Sequence, residues 1–273
     1  MAQRIVIRGE ARRPLSDIYH AFLTKPWRWV LLTIAVGFLA MNVVFAFAYG
    51  VTGGVANADG FLDDFFFAVQ TAGTIGYGAM YPVSRAANTL VVAESVLSLI
   101  VTALATGLIF SKFSRSTARM RFSKFACITK INGVSTLALR MGNQRGNAIV
   151  EATIHVTLSR TEITDEGEKM YRSYDLPLVR ERATALSRSW TAMHPITEWS
   201  MLKDATPESL AASEAEVLIS VTGIDETSMQ NVHARKIYDH AEIKWGMRHA
   251  DLLTDTPEEF VVDLTRFDDV VPS

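Results

Sequence analysis

Thr74-Ile75-Gly76-Tyr77-Gly78 (TIGYG) is the stretch whose reading decides the fold. For consecutive carbonyl oxygens to point the same way, alternate residues must take left-handed backbone angles, and glycine does so at the least steric cost. Glycine stands at 76 and 78, so the oxygens of this segment can line one narrow passage, with the Thr74 hydroxyl adding another at the inner end. Ile75 and Tyr77 then point away and brace the loop. If four copies meet around one axis, such oxygens replace the water that an alkali cation sheds. A GYG tripeptide is common by chance; its flanks give it meaning.

Those flanks are two membrane spans. Residues 29–50 (Trp29 to Gly50) are 22 residues without a charge, and residues 86–110 are 25 with only Glu94 charged. Each exceeds the roughly 20 apolar residues that cross a bilayer core. The first is too long for a cleaved leader and lacks a small-residue cleavage site. Between them, residues 61–72 (FLDDFFFAVQTA) are apolar over only 12 residues, which suits a re-entrant half-helix. Irregular backbone after it is tolerable at membrane depth only if it lies in protein or lines a wet cavity. Asp63 and Asp64 suit the positive end of that half-helix, while its carboxyl end, aimed at the filter entrance, favours a cation. Span, pore helix, filter at 74–78 and span together make a pore module.

Basic residues orient it. Arg4, Arg8, Arg12, Arg13, Lys25 and Arg28 precede the first span, and Lys112, Arg115, Arg119, Arg121 and Lys124 follow the second, whereas the segment between holds only Arg85. Both termini are therefore expected in the cytoplasm. The 273 residues divide into a cytoplasmic N-terminus (1–28), a pore domain (29–110), a basic linker (111–121) and a cytoplasmic domain (122–273). Net charge is only −2, but from residue 125 onward 15 Lys and Arg face 23 Asp and Glu, a balance of −8. Four such tails around an axis concentrate cations, although many solvated surfaces are as acidic. The single cysteine, Cys127, excludes an intrachain disulfide.

Every fourth position of the second span reads Glu94, Ser98, Thr102, Thr106, Phe110. Each such step drifts about 40° around a helix, so the ends of the row face different ways while Ser98, Thr102 and Thr106 can share a side. Cavity lining is one reading; bonding the preceding turn or packing against a neighbouring helix is the other. Glu94 is costly in hydrocarbon and is expected behind the filter, bonding the pore-helix region, either as electrostatic support or as a structural clasp. Phe110 closes the span, either as a hydrophobic gate or as an interfacial anchor.

Leu15 to Leu23 (LSDIYHAFL) is short and amphipathic, a helix for the membrane surface, interrupted by Pro26. Trp27 and Trp29 flank Arg28 at the interface. Arg28, Lys112 and Arg115 can hold an anionic lipid headgroup, or simply anchor the cytoplasmic side.

Past residue 122 the period becomes two. Val150, Ala152, Ile154, Val156 and Leu158 alternate with Glu151, Thr153, His155, Thr157 and Ser159. Thr136–Met141, Val217–Thr222 and Phe260–Leu264 are further strands, separated by turns at Asn132-Gly133, Asp165-Glu166-Gly167 and Thr206-Pro207. Only Pro207–Glu216 and Gln230–Tyr238 read as short helices, so an antiparallel β-sandwich is predicted. No dinucleotide fingerprint, phosphate loop, metal spacing or nucleophile–base pair occurs, which speaks against an enzyme and a resident cofactor.

DIYH (17–20), FFFAVQTAGTIGYG (65–78), LIFSKFSRS (108–116), GNQRGNAIVEA (142–152), SWTAMHPI (189–196) and HARKIYDHAEIKWG (233–246) together resemble the inward-rectifier potassium channels, above all their prokaryotic (KirBac) branch. The resemblance runs from about residue 14 almost to the end and implies a homotetramer in the inner membrane of a prokaryote. It further implies an immunoglobulin-like sandwich extending the pore, passive conduction of potassium and no voltage sensor. Nucleic acid is no expected partner.

By the same resemblance, Thr74 to Gly78 are the potassium filter and Phe110 the bundle-crossing gate. Thr102 occupies the position where strong rectifiers carry an aspartate that attracts polyamines and magnesium, so weak rectification is expected. Glu151 and Glu226 match acidic positions of the cytoplasmic pore; Thr184 and Arg188 replace others. Arg28, Lys112, Arg115 and Arg145 match basic positions linked to phosphoinositide regulation, and prokaryotic members are lipid-sensitive with either sign. Barium is an expected blocker. Ser116 stands where the family has a proline. The competing expectations are a membrane-tethered β-sandwich sensor and a poorly selective cation pore.

Overall fold

A computed structural model describes residues 14–114, 118–255 and 260–273. The chain forms two units, residues 1–115 and 116–273.

The first unit is helical. Helix α1 (Pro14–Thr24) ends before Pro26, whose extended backbone starts α2 (Trp27–Thr52). Gly53, at φ 57°, closes α2 with its N–H on the Tyr49 carbonyl, a left-handed cap that favours glycine. The half-helix α3 (Phe61–Ala72) follows, and Ser84 starts α4 (Arg85–Phe113) by accepting from the Ala87 N–H. Both α2 and α4 are long and apolar enough to cross a membrane. Leu32, Val44 and Phe47 on α2 and Val92, Leu99 and Leu104 on α4 are exposed on the single chain, as surfaces facing lipid or further copies must be.

Only a small core holds this unit together: Tyr49, Phe67, Ala68 and Ala87, with Phe45, Met80 and Leu90 around it. Beside it the C-terminal end of α2 and the N-terminal end of α4 are stitched by a two-residue ladder, Val55–Ala56 against Tyr81–Pro82. The Val83 N–H adds a bond to the Gly54 carbonyl at 2.8 Å. Gly54 admits no side chain, since a Cβ there would lie 2.1 Å from Ser84 Oγ.

The second unit is built on two five-stranded sheets around one core, with two short ladders besides, Met247–His249 against Val270–Pro272 and Leu253–Asp255 against Phe260–Val262. One sheet orders Gln230–Asp239, Glu216–Asp225, Ile149–Ile163 and Lys169–Asp175, with Arg182–Leu186 also on Ile149–Ile163. The other orders Ile243–Trp245, Ala126–Ile131, Val134–Asn143 and Met120–Phe122, with Trp190–Pro195 also on Val134–Asn143. Leu137, Leu139 and Met141 from one sheet share the core with Ile154, Leu158, Val217 and Ile219 from the other. Asn132 and Gly133, at φ 49° and 82°, make the tight turn joining Ile131 to its partner Val134.

Three sequence expectations change here. Gln230–Tyr238 is a strand, paired residue for residue with Glu216–Asp225; its inward residues Val232 and Tyr238 obey period two, and pairing overrides the helix-forming Ala-Arg-Lys run. Helix α5 (Pro207–Ala212) stops short of the expected Glu216, because Glu216 opens a strand. The alternation along Ile149–Ile163 slips at Glu151, where Glu151 and Ala152 oppose the single residue Gly223. Ile149, not Val150, is therefore buried with Ala152. A bulge of this kind re-aims its first residue, and Glu151 adopts φ 50° to make it.

Candidate ion-conduction site

The end of α3 runs straight into Thr74–Gly78. The N–H groups of Gly73, Thr74 and Ile75 donate to the carbonyls of Val69, Thr71 and Gln70 at 2.9, 3.1 and 2.8 Å, fastening the segment to the last helical turn. Thr74, Gly76 and Gly78 then take φ of 54°, 58° and 82°, while Ile75 and Tyr77 stay out of the left-handed region. A Cβ at 76 or 78 would meet nothing of this chain within 4 Å, so the backbone angle, not space, calls for glycine. Thr74 has no such freedom; a strained angle of this kind costs about 1–3 kcal/mol and persists where neighbours impose it.

Glu94 lies fully buried on α4. Tyr49 O–H of α2 donates to its Oε2 at 2.6 Å, and the Tyr49 ring meets Phe67 of α3 edge-on at 5.0 Å. The carboxylate thus reaches the pore-helix region through a tyrosine, where the sequence implied a direct bond. Glu94 Oε1 and Ser98 Oγ are buried without a hydrogen-bond partner among the described residues. The polar row of α4 divides: Ser98 is covered by its own chain, whereas Thr102 and Thr106 are exposed. Thr106 Oγ1 donates back to the Thr102 carbonyl at 2.8 Å. Phe110 is 69 % exposed on the single chain.

The basic residues fare differently from one another. Arg28 is exposed on the first turn of α2. Arg115 lies outside the described residues, as does Ser116. Lys112 Nζ donates to the carbonyls of Phe22, Leu23 and Lys25 at 3.0, 3.1 and 2.7 Å. Arg145 pairs with Asp225 at 3.2 Å.

Asp225 is the centre of a turn. It accepts from the N–H groups of Thr227 and Ser228 at 3.1 and 3.0 Å, and the Ser228 N–H, with the Asn147 side chain and Arg145, holds its carboxyl down at about 2. Next to it the Ala148 N–H donates to Glu226 Oε2 at 3.1 Å. Glu151 lines a shallow depression with Thr222, Asn231 and His233. Glu151 and Glu226 are both exposed.

Deeper in the sandwich, burial pushes the Cys127 thiol up to about 11, which leaves it unreactive. Burial, and after it the Arg140 guanidinium, push the adjacent His249 imidazole down to about 4. No cluster of metal-ligating side chains occurs among the described residues.

The Tyr49 clasp, the Asp225 partner and the Lys112 acceptors were all absent from the sequence reading. Only Tyr49 left a trace, as a hydroxyl near the end of an otherwise apolar run.

Residues 120–272 match the inward rectifier potassium channel C-terminal domain and residues 50–116 the inward rectifier potassium channel transmembrane domain. The chain belongs to the inward rectifier potassium channel family, as a membrane ion channel and not an enzyme. Its place is with the prokaryotic members. It is 41 % identical to the inward rectifier potassium channel Kirbac3.1 of Paramagnetospirillum magnetotacticum, covering 96 % of this chain and 90 % of that one. Identity to the ATP-sensitive inward rectifier potassium channel 12 of Bos taurus is 28 %, over 94 % of this chain and 66 % of the relative. For the G protein-activated inward rectifier potassium channel 1 of Gallus gallus it is 30 %, over 95 % and 58 %.

Proposed function

We propose that four copies of this chain surround one axis in a prokaryotic inner membrane, with both termini in the cytoplasm, and pass potassium through the carbonyls of Thr74 to Gly78. The observation that carries this reading is the alternation of left-handed angles at 74, 76 and 78 directly after the half-helix α3. Such a backbone turns successive oxygens to one side, and fourfold repetition supplies the cage that a dehydrated cation needs. Glu94 braces the outer halves of the spans through Tyr49. Thr102 and Thr106 face the water-filled cavity, and Phe110 narrows its cytoplasmic mouth. Because Thr102 is neutral, magnesium and polyamines block weakly there, with Glu151 and Glu226 supplying the remaining attraction for them. Arg28 and Arg115 meet anionic lipid, whereas the partners of Lys112 and Arg145 support internal roles for those two.

The test is uptake into vesicles containing the purified protein. Barium-sensitive rubidium uptake is expected to exceed sodium uptake by a wide margin, and Gly76→Ala to abolish it while tetramers persist. Equal rubidium and sodium uptake defeats selectivity; undiminished uptake by the alanine variant defeats the filter assignment.

A further inference from the structure

The carboxyl end of α1 carries no basic residue of its own in its last turn. Exposed carbonyls at a helix end need donors, and a cation there also answers the helix dipole. Thr24 Oγ1 donates to the His20 carbonyl of the preceding turn at 2.8 Å, and the Lys25 N–H covers the Ala21 carbonyl at 2.9 Å. The carbonyls of Phe22, Leu23 and Lys25 are covered by a single ammonium from 87 or more residues away, Lys112 Nζ. An ammonium has three N–H donors, and here there are three acceptors. The same group sits 5.5 Å from the centre of the Trp27 ring, and Phe22, nearly buried, packs edge-on against Trp29 at 5.8 Å. Lys112 stands two residues past Phe110 on α4.

We infer that Lys112 is a positioning residue: it caps α1 from α4, so that the surface helix and the Phe110 end of α4 move as one body. Its three protons meet the chain's own carbonyls. This inference rests on the channel reading for its effect on conduction, but the cap itself does not.

The experiment uses the full-length protein in vesicles of phosphatidylcholine alone, where no anionic headgroup competes. Amide hydrogen exchange over residues 20–25 is measured beside rubidium uptake. Losing a charge-assisted bond should speed exchange in that segment about tenfold in Lys112→Met, and rubidium uptake should change with it. Unchanged exchange in this lipid overturns the cap. Faster exchange with unaltered uptake overturns the coupling to Phe110.

Folding damage is separated chemically. Cys127 is fully buried, so Lys112→Cys presents the accessible thiol. Aminoethylation with 2-aminoethyl methanethiosulfonate forms a disulfide to the cysteine sulfur, releases methanesulfinate and restores an ammonium near the original reach. Restored protection by this reagent, and not by neutral methyl methanethiosulfonate, supports the cap; equal rescue by both overturns it. Should wild-type vesicles take up no rubidium, the channel reading fails while the exchange data still decide the cap.

Discussion

The two units handle their apolar side chains in opposite ways. In the sandwich, Leu137, Leu139, Ile154 and Leu158 are buried within one chain, so its stability is its own. In the pore unit, Leu32, Leu99 and Leu104 are bare, and the intrachain core shrinks to a patch around Tyr49 and Phe67. One region buries its apolar side chains within the chain; the other leaves them bare, for lipid and further copies on the reading proposed above. Buried polar atoms do not follow this division: among the described residues Arg140 Nε, Trp190 Nε1 and Trp245 Nε1 of the sandwich lack a partner, as does Asn42 Oδ1 of the pore unit. Asp225 has several donors inside its own chain, whereas Glu94 Oε1 and Ser98 Oγ have none among the described residues.

Substitutions sharpen that contrast. The largest effect is expected from Gly76→Ala, which places a Cβ at φ 58° and should remove conduction while leaving the urea midpoint of the sandwich unmoved. A matching loss in that midpoint would break the contrast. Leu139→Ala, in the sandwich core, should cost about 2–5 kcal/mol, seen as a lower urea midpoint by tryptophan fluorescence.

His249 gives a pH dependence of its own. Its folded value of about 4 lies below the ordinary 6.5, so between these the unfolded chain binds the extra proton and stability rises with pH. The contribution is complete above about 6.5 and falls away as pH drops through 4, about 3 kcal/mol in all. His249→Gln should flatten the urea midpoint between pH 7 and 4.5, and a curve as steep as the wild type's would assign the loss elsewhere. In the pore unit, Tyr49→Phe removes the hydroxyl donor to buried Glu94 and should lower the protein's thermal midpoint by the equivalent of about 1–3 kcal/mol. Leu32→Ala, on bare α2 surface, should stay within about 0.5 kcal/mol by the same measure. A loss like that of Leu139→Ala would mean that protein, not acyl chains, covers Leu32.

Much of this architecture could be read from residue order because its signals are local. The apolar lengths of α2 and α4, the short run of α3 and the glycines at 76 and 78 each depend on a few neighbours. The strand around Ile154 was visible for the same reason. What escaped depended on distant partners. Gln230–Tyr238 carries helix formers and becomes a strand only beside Glu216–Asp225. The slip at Glu151 needs Gly223 opposite it, where a Cβ would lie 2.6 Å from Ile149 Cγ2. Lys112 looks like any cytoplasmic-side lysine until the end of α1 lies beside it.

The stitching between the C-terminal end of α2 and the N-terminal end of α4 has a mechanical corollary. With that end fixed near Glu94, α4 is a lever whose long arm, the 16 residues on to Phe110, measures about 24 Å at the ordinary helical rise. A swing of about 10° sweeps the aromatic tip through about 4 Å, comparable to the width of a benzene ring, while the short arm beside Thr74–Gly78 hardly stirs. On the channel reading proposed above, opening and closing at one mouth then leaves ion choice at the other untouched.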